Sequence, residues 1–168
     1  MCSSPFIIRL FGTFQDEDCI YFNMEYALGG ELFSYLNKKQ KFPLEMAKFY
    51  GSEIFLALEH VQKHGFVYRD LKPENVMLDE GGHCKLVDFG FATQPNAKGM
   101  CETNCGTPSY LSPEQLNLKF TKGYTKVVDW WSLGCVVFEL LTGLTPFNKT
   151  AKDSEYEVYM RVQKGSIS

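Results

Sequence analysis

Excess positive charge is missing from this sequence. Its 17 Lys and Arg stand against 20 Asp and Glu, a net of −3, so no overall field would hold a nucleic acid. Long apolar runs are missing too: the longest, Trp130–Leu144, is interrupted by Glu139 and falls short of the ~20 residues that span a bilayer. No membrane span is therefore expected. Pro5 and Arg9 stand where a secretory signal would need a basic flank and an unbroken apolar core. No C-x-x-C pair occurs among the cysteines at 2, 19, 84, 101, 105 and 135, which leaves neither a disulfide framework nor a second ligand pair for a metal near Cys101 and Cys105. Scattered free thiols fit a reducing, cytoplasmic setting. No repeat, low-complexity tract or Pro/Gly/Ser-rich linker divides the chain. What is abundant is surface to bury: 45% of residues are apolar and 15% aromatic, enough for one domain or part of a larger one.

Two short apolar runs, Phe6–Leu10 and Ile20–Met24, flank the polar Gln15–Asp18 and read as a strand hairpin. Gly29-Gly30 breaks the chain, and Leu32, Phe33 and Leu36 give Glu31–Lys39 helical spacing. A long helix follows between Pro43 and Gly65, with Met46, Tyr50, Ile54, Ala57, Leu58 and Val61 at three- and four-residue steps. Phe66–Tyr68, Val76–Leu78 and Cys84–Val87 read as small strands around loops. From Phe91 to Ser112 periodicity vanishes, and so long a patternless stretch inside a compact domain points to function. Val127–Leu141 is apolar nearly all round, as a helix buried on every side should be. Asp153–Lys164 closes the chain as an amphipathic helix.

The chemistry concentrates in Tyr68-Arg69-Asp70-Leu71-Lys72-Pro73-Glu74-Asn75, where two carboxylates, two cations and an amide sit between apolar segments. Asp88-Phe89-Gly90 follows at the end of an apolar run. Asn75 and Asp88 offer hard oxygen ligands of the kind magnesium accepts. Lys72 is a compact charge for a transferring phosphoryl group, and Asp70 is suited to orient a hydroxyl and take its proton.

In order and spacing these segments, with Ser112-Pro113-Glu114, resemble the eukaryotic protein kinase pattern H-R-D-L-x-x-x-N, D-F-G, A-P-E. Tyr68 replaces the usual His and Ser112 the usual Ala; neither change removes a group the chemistry requires. Tyr68, Phe91-Ala92, Cys105-Gly106-Thr107-Pro108 and Asp129-Trp130-Trp131-Ser132-Leu133-Gly134 are similar to the cyclic-nucleotide-dependent (cAMP and cGMP) branch of the AGC kinases. Lys72–Asn75 and Thr107 mark Ser/Thr rather than Tyr specificity. The resemblance implies an α+β, protein-kinase-like fold: a mostly helical large lobe with a two-strand remnant of the small lobe. Residues 1–30 would form the end of the small lobe and the hinge, and 31–168 part of the large lobe.

The resemblance further implies a site for ATP and Mg2+. Asp70 would be the catalytic base, Lys72 the phosphate contact, and Asn75 and Asp88 the metal ligands. Met24 would stand at the gatekeeper position, with the main chain of Glu25 and Ala27 meeting adenine. Met77 would be the adenine floor with Val87 beside it, and Glu31 would reach the ribose. Glu74 is counted among the nucleotide-site residues too. Glu31, Glu74 and Glu139 match positions that hold arginines upstream of the acceptor, so protein substrates with basic residues near the acceptor Ser or Thr are expected. A buried helix carboxylate such as Glu139 must find a partner in any case. Ser109 stands where the family has a further acidic residue. Thr103 matches the activation-loop phosphosite, where a phosphate would pair with Arg69; Thr93 stands where a second cation is frequent. A regulatory segment or subunit is a further expected partner.

No G-x-G-x-x-G occurs in the chain, and Lys38 and Lys39 follow the hinge. The family's Gly-rich loop, ATP-anchoring Lys and Glu-bearing helix would precede Pro5, and its later helices would follow Lys164. Met1 is accordingly expected to be an internal methionine of a longer protein, and this stretch to be inactive alone. The alternative is a naturally short, non-catalytic kinase-like interaction module.

Overall fold

The structure is a computed structural model that describes residues 3–150, 152–165 and 167, with Lys119 and Phe120 described by backbone only. Met1, read above as an internal methionine, and Cys2 lie outside the described residues. Strands β1 (Leu10–Gln15) and β2 (Ile20–Met24) pair antiparallel, with Phe14 opposite Tyr21 and Thr13 opposite Phe22. Asp16 shapes their turn: its Oδ1 accepts from the amides of Asp18 (2.9 Å) and Cys19 (2.8 Å), and its Oδ2 from the Tyr21 hydroxyl. The predicted hairpin exists, but its first strand lies further along than Phe6–Leu10. Phe6–Ile8 instead flank a buried strand: Leu86 N–H donates to Phe6 O at 2.8 Å, and Ile8 N–H donates to Leu86 O at 3.0 Å. Three consecutive apolar side chains suit that half-buried position, whereas every residue of β1 is exposed.

A second sheet has the order β3-β4-β5, built from β3 (Gly30–Glu31), β4 (Val76–Leu78) and β5 (Cys84–Leu86). Its register sets Glu31 opposite Met77, and Met77 opposite Lys85. Phe66–Tyr68 does not form a strand. Only Val67 bridges, to Thr93, because the next two amides are taken by a carboxylate from a distant helix.

Helices α1 (Leu32–Lys39) and α2 (Leu44–Lys63) follow the predicted spacing, and Leu32, Ile54 and Leu58 on their inner faces are at most 1% exposed. They pack with Val76, Leu86, Val136 and Leu140 in one core, each such side chain stabilising the fold by ~1.5–3 kcal/mol. The patternless loop holds one 3₁₀ turn, Pro108–Tyr110, and ends in two short helices that periodicity did not separate, α3 (Pro113–Leu116) and α4 (Leu118–Thr121). Ser112 starts α3 through a capping box with Gln115. Helix α5 (Val128–Thr142) is less enclosed than expected: Val128, Ser132, Val136 and Leu140 are buried, Trp130, Trp131 and Leu133 are half-buried, and Gly134 is exposed. Helix α6 (Glu155–Lys164) begins with a second capping box, Ser154 with Glu157.

Candidate active site

The turn after Val67 is bent against its own preference. Arg69 has φ +74°, a left-handed conformation that costs a non-glycine residue roughly 1–2 kcal/mol. Asp129, from the first turn of α5, holds it there. One oxygen accepts from Arg69 N–H at 2.8 Å, the other from Tyr68 N–H at 3.1 Å and Gln62 Nε2 at 2.9 Å. Burial pushes the Asp129 carboxyl above the usual range, while these donors pull the other way. In sequence this Asp served only as part of a resemblance; its task as the clamp of the turn was missed. Tyr124 was missed as well. Its hydroxyl accepts from Arg69 Nη1 at 3.0 Å and donates to Thr103 O at 2.7 Å, while Arg69 Nε donates to Phe91 O at 2.7 Å.

The turn delivers Asp70, which is 5% exposed, into a dense polar cluster. Asn75 Nδ2 donates to both the main-chain oxygen (2.9 Å) and Oδ2 (3.0 Å) of Asp70. Thr107 Oγ1 donates to Asp70 Oδ1 at 2.8 Å and accepts from Lys72 Nζ at 2.9 Å. Lys72 Nζ lies 3.2 Å from Asp70 Oδ2. Thr107 reaches this position because Gly106, with φ +106°, passes where a Cβ would lie 2.7 Å from Arg69 O. Pro73 opens the 3₁₀ turn that returns Asn75 to Asp70.

Asp88 is exposed, also left-handed at φ +52°, and its Oδ1 accepts from Gly90 N–H at 3.0 Å. Two bonds tie its loop to the Asp70 turn: Tyr68 hydroxyl to Val87 O at 2.5 Å, and Val87 N–H to Asn75 O at 3.0 Å. Burial, and after it the charges of Asp70 and Asp88, keep the Tyr68 phenol protonated far above its ordinary range. One buried hydroxyl thus stands close enough to feel both carboxylates.

The other expected residues fall into separate groups. Glu139 accepts from the Tyr110 hydroxyl at 2.7 Å, and burial, reinforced by the charge of Glu74, raises its carboxyl to about 7. Glu74 Oε2 is buried without a protein partner among the described residues. Glu31 is exposed beside Ser34, and both line an open cleft of about 690 Å³ with Met77, Tyr35 and Lys38; Asp70, Lys72, Asn75 and Asp88 do not line it. Met24 is 50% exposed at the end of β2, Ala27 is buried, and the Glu25 side chain pairs with Lys85 at 2.9 Å. Val87 is half-buried. Thr103 is exposed and anchored through its carbonyl.

The family described as "Protein kinase domain" matches residues 1–167. cAMP-dependent protein kinase type 3 of Saccharomyces cerevisiae is 50% identical over 155 residues, covering 92% of this chain and 38% of the yeast protein. The cAMP-dependent protein kinase catalytic subunit of Schizosaccharomyces pombe is 47% identical over 164 residues, covering 98% of this chain and 31% of the relative. The human cAMP-dependent protein kinase catalytic subunit PRKX is 46% identical over 165 residues, covering 98% of this chain and 44% of the relative. The chain thus spans less than half the length of each of these relatives. With this match covering nearly all of its residues, the chain belongs to the protein kinase domain family.

Proposed function

We propose that this chain is the catalytic region of a Ser/Thr protein kinase that moves the γ-phosphoryl group of ATP to Ser or Thr in basic protein segments. The observation that carries the reading is the bonding of Asp70 to Asn75, Thr107 and Lys72, with Asp88 tied to the same turn through Tyr68 and Val87. Asp70 Oδ1 already accepts from a hydroxyl, that of Thr107. It is suited to accept from a substrate hydroxyl, orient its oxygen and receive its proton. Lys72 would donate to a phosphoryl oxygen, placing positive charge where negative charge builds up.

The donor set fits magnesium: one amide and one carboxylate from two short turns, leaving places for phosphate oxygens. Asn75 and Asp88 would hold the ion, which when bound supplies positive charge against those oxygens. Met77, Val87 and the main chain of Glu25 and Ala27 would seat adenine below Met24, with Glu31 at the ribose. Glu74 Oε2, without a protein partner among the described residues, and the neighbouring Glu139 suit an arginine guanidinium, which carries several donors and no acceptor. Thr103, whose carbonyl is two hydrogen bonds from Arg69, is the residue whose phosphorylation would order the loop.

Cys19, Cys84, Cys101, Cys105 and Cys135 are free thiols, which supports a cytoplasmic setting. Among the described residues no helix is long and apolar enough to cross a membrane. A second reading, a non-catalytic interaction module, is favoured by the exposed apolar side chains of the β1–β2 hairpin: Phe11, Phe14, Ile20 and Phe22 are 58%, 62%, 67% and 62% exposed.

Thermal unfolding of the 168-residue chain with ATP, with and without magnesium, separates the two. The kinase reading expects a magnesium-dependent rise in Tm that Asp88→Asn abolishes. Phosphoryl transfer to an arginine-containing peptide would be a separate assay, since no G-x-G-x-x-G lies within these residues to cover the phosphates. Equal melting with and without Mg-ATP, in wild type and variant alike, would support the interaction module.

A further inference from the structure

Six ion pairs occur among the described residues, and one of them joins the β1–β2 hairpin to the β3-β4-β5 sheet: Glu25 Oε1 to Lys85 Nζ at 2.9 Å. Its surroundings are unlike a surface pair. The Lys85 side chain is 12% exposed and the Glu25 side chain 30%. The second carboxylate oxygen, Glu25 Oε2, accepts from the amide of Arg9 at 3.1 Å, and Glu25 N–H donates to Arg9 O at 2.8 Å. Arg9 is where the chain leaves its pairing with Leu86 and turns into β1, and Lys85 directly precedes Leu86 on β5. A single carboxylate therefore closes the junction from both sides. It holds the amide at the entrance of the hairpin and the ammonium on the sheet below. Lys85, together with the Arg9 amide, keeps the Glu25 carboxyl below its ordinary range.

We infer that the Glu25–Lys85 pair is a latch that fixes the segment after β2 on the β4–β5 hairpin. Resting on the nucleotide reading above, we further infer that Lys85 positions, without touching the nucleotide, the Glu25 and Ala27 main chain for adenine. The register supports this second step, because Lys85 stands opposite Met77, so latch and adenine floor share one pair of strand positions. An ion pair suits the task. It restrains the junction without a covalent tie, and a half-buried pair is screened less than an exposed one.

Three variants of the 168-residue chain test the inference: Lys85→Gln, Glu25→Gln and the exchange Glu25→Lys with Lys85→Glu. The first readout is amide hydrogen exchange at Arg9 and Glu25. Loss of the pair should speed it by roughly tenfold, with exchange in α2 unchanged; the exchanged pair should recover at the residue-25 amide alone, since a lysine there offers the Arg9 amide no acceptor. Exchange as slow in both single variants as in wild type would overturn the latch. The second readout is the affinity of adenosine and of Mg-ATP. Positioning predicts that each single variant weakens both by a similar factor, about 3- to 10-fold, since the defect lies at adenine rather than at the phosphates. Faster exchange with unchanged affinity would overturn the positioning role and leave the latch standing. A wild-type chain that binds neither compound would count against the nucleotide reading and the positioning with it, and the exchange data would then decide the latch alone.

Discussion

The hydroxyl of Tyr68 donates to the main-chain carbonyl of Val87 at 2.5 Å, joining the turn that holds Asp70 to the residue before Asp88. Tyr68 is wholly buried, and its ring meets Phe89 edge-on at 5.3 Å between centroids. The tyrosine that departs from the family's histidine thus carries a bond between the two halves of the proposed site.

Tyr68→Phe keeps the ring contact and removes that bond, leaving Val87 O short of a donor. A stability loss of ~1–2 kcal/mol is expected in urea unfolding. In the kinase reading the Mg-ATP thermal shift should shrink as well, because the Asp88 turn is less well held. A normal shift in a destabilised variant would confine Tyr68 to a structural role.

Tyr124→Phe should act on the other side of the turn. The ring stays packed with Val67, Cys101 and Val128, but Arg69 loses the acceptor of its Nη1 and Thr103 O loses its donor. Burial holds the Tyr124 hydroxyl protonated, pushing it up to about 12, so it serves as donor at every physiological pH. We expect ~2 kcal/mol of destabilisation and faster proteolytic cutting between residues 96 and 106. Unchanged cutting would mean that the loop is held mainly by the Cys101–Tyr124 main-chain bridge.

These two tyrosines show where sequence reading reached and where it stopped. Asp70, Lys72 and Asn75 lie within six positions, so local spacing alone brought them together. The helices α1, α2 and α6 were legible because each has one apolar face. The first strand was misplaced because Phe6–Ile8 is an apolar run whose partner, Leu86, lies far along the chain. Asp129 and Tyr124 were missed as parts of the site for the same reason. Their bonds to Arg69 span 60 and 55 positions, and no local pattern marks a residue whose task is to hold another's backbone or guanidinium.

Gly143 and Gly134, both on or beside α5, should respond oppositely to alanine. Gly143 ends the helix at φ +86°, and a Cβ there would sit 2.3 Å from the main-chain oxygen of Gln40. Strain and clash together should cost more than ~2 kcal/mol in Gly143→Ala. At Gly134 a Cβ would meet nothing within 4 Å. There the better helix propensity of alanine should add ~0.5–1 kcal/mol in the same unfolding assay. A mild Gly143→Ala would show that the Gln40 carbonyl moves aside easily.

Glu139 should make the free protein less stable as pH rises. The residue is 8% exposed and its carboxyl is raised from 4.5 to about 7, with burial the main cause and the charge of Glu74 adding to it. A raised value means that the folded chain holds the proton more tightly than the unfolded one. The stabilising contribution is therefore complete below about pH 4.5 and is lost as pH climbs through 7. The loss amounts to roughly 3 kcal/mol at most. Glu139→Gln keeps an acceptor for the Tyr110 hydroxyl and has no proton to lose. Its stability relative to wild type should rise between pH 5 and pH 8, as measured by urea unfolding at both values; parallel profiles would show that Glu139 titrates as an ordinary carboxylate. The same ionisation would favour substrate. A guanidinium near Glu139 and Glu74 prefers both carboxylates charged, so an arginine peptide should bind more tightly to wild type at pH 8 than at pH 6. Glu139→Gln should flatten that dependence. If Glu139 and Glu74 receive an arginine as proposed, the two pH profiles, of stability and of peptide affinity, should run in opposite directions through pH 7.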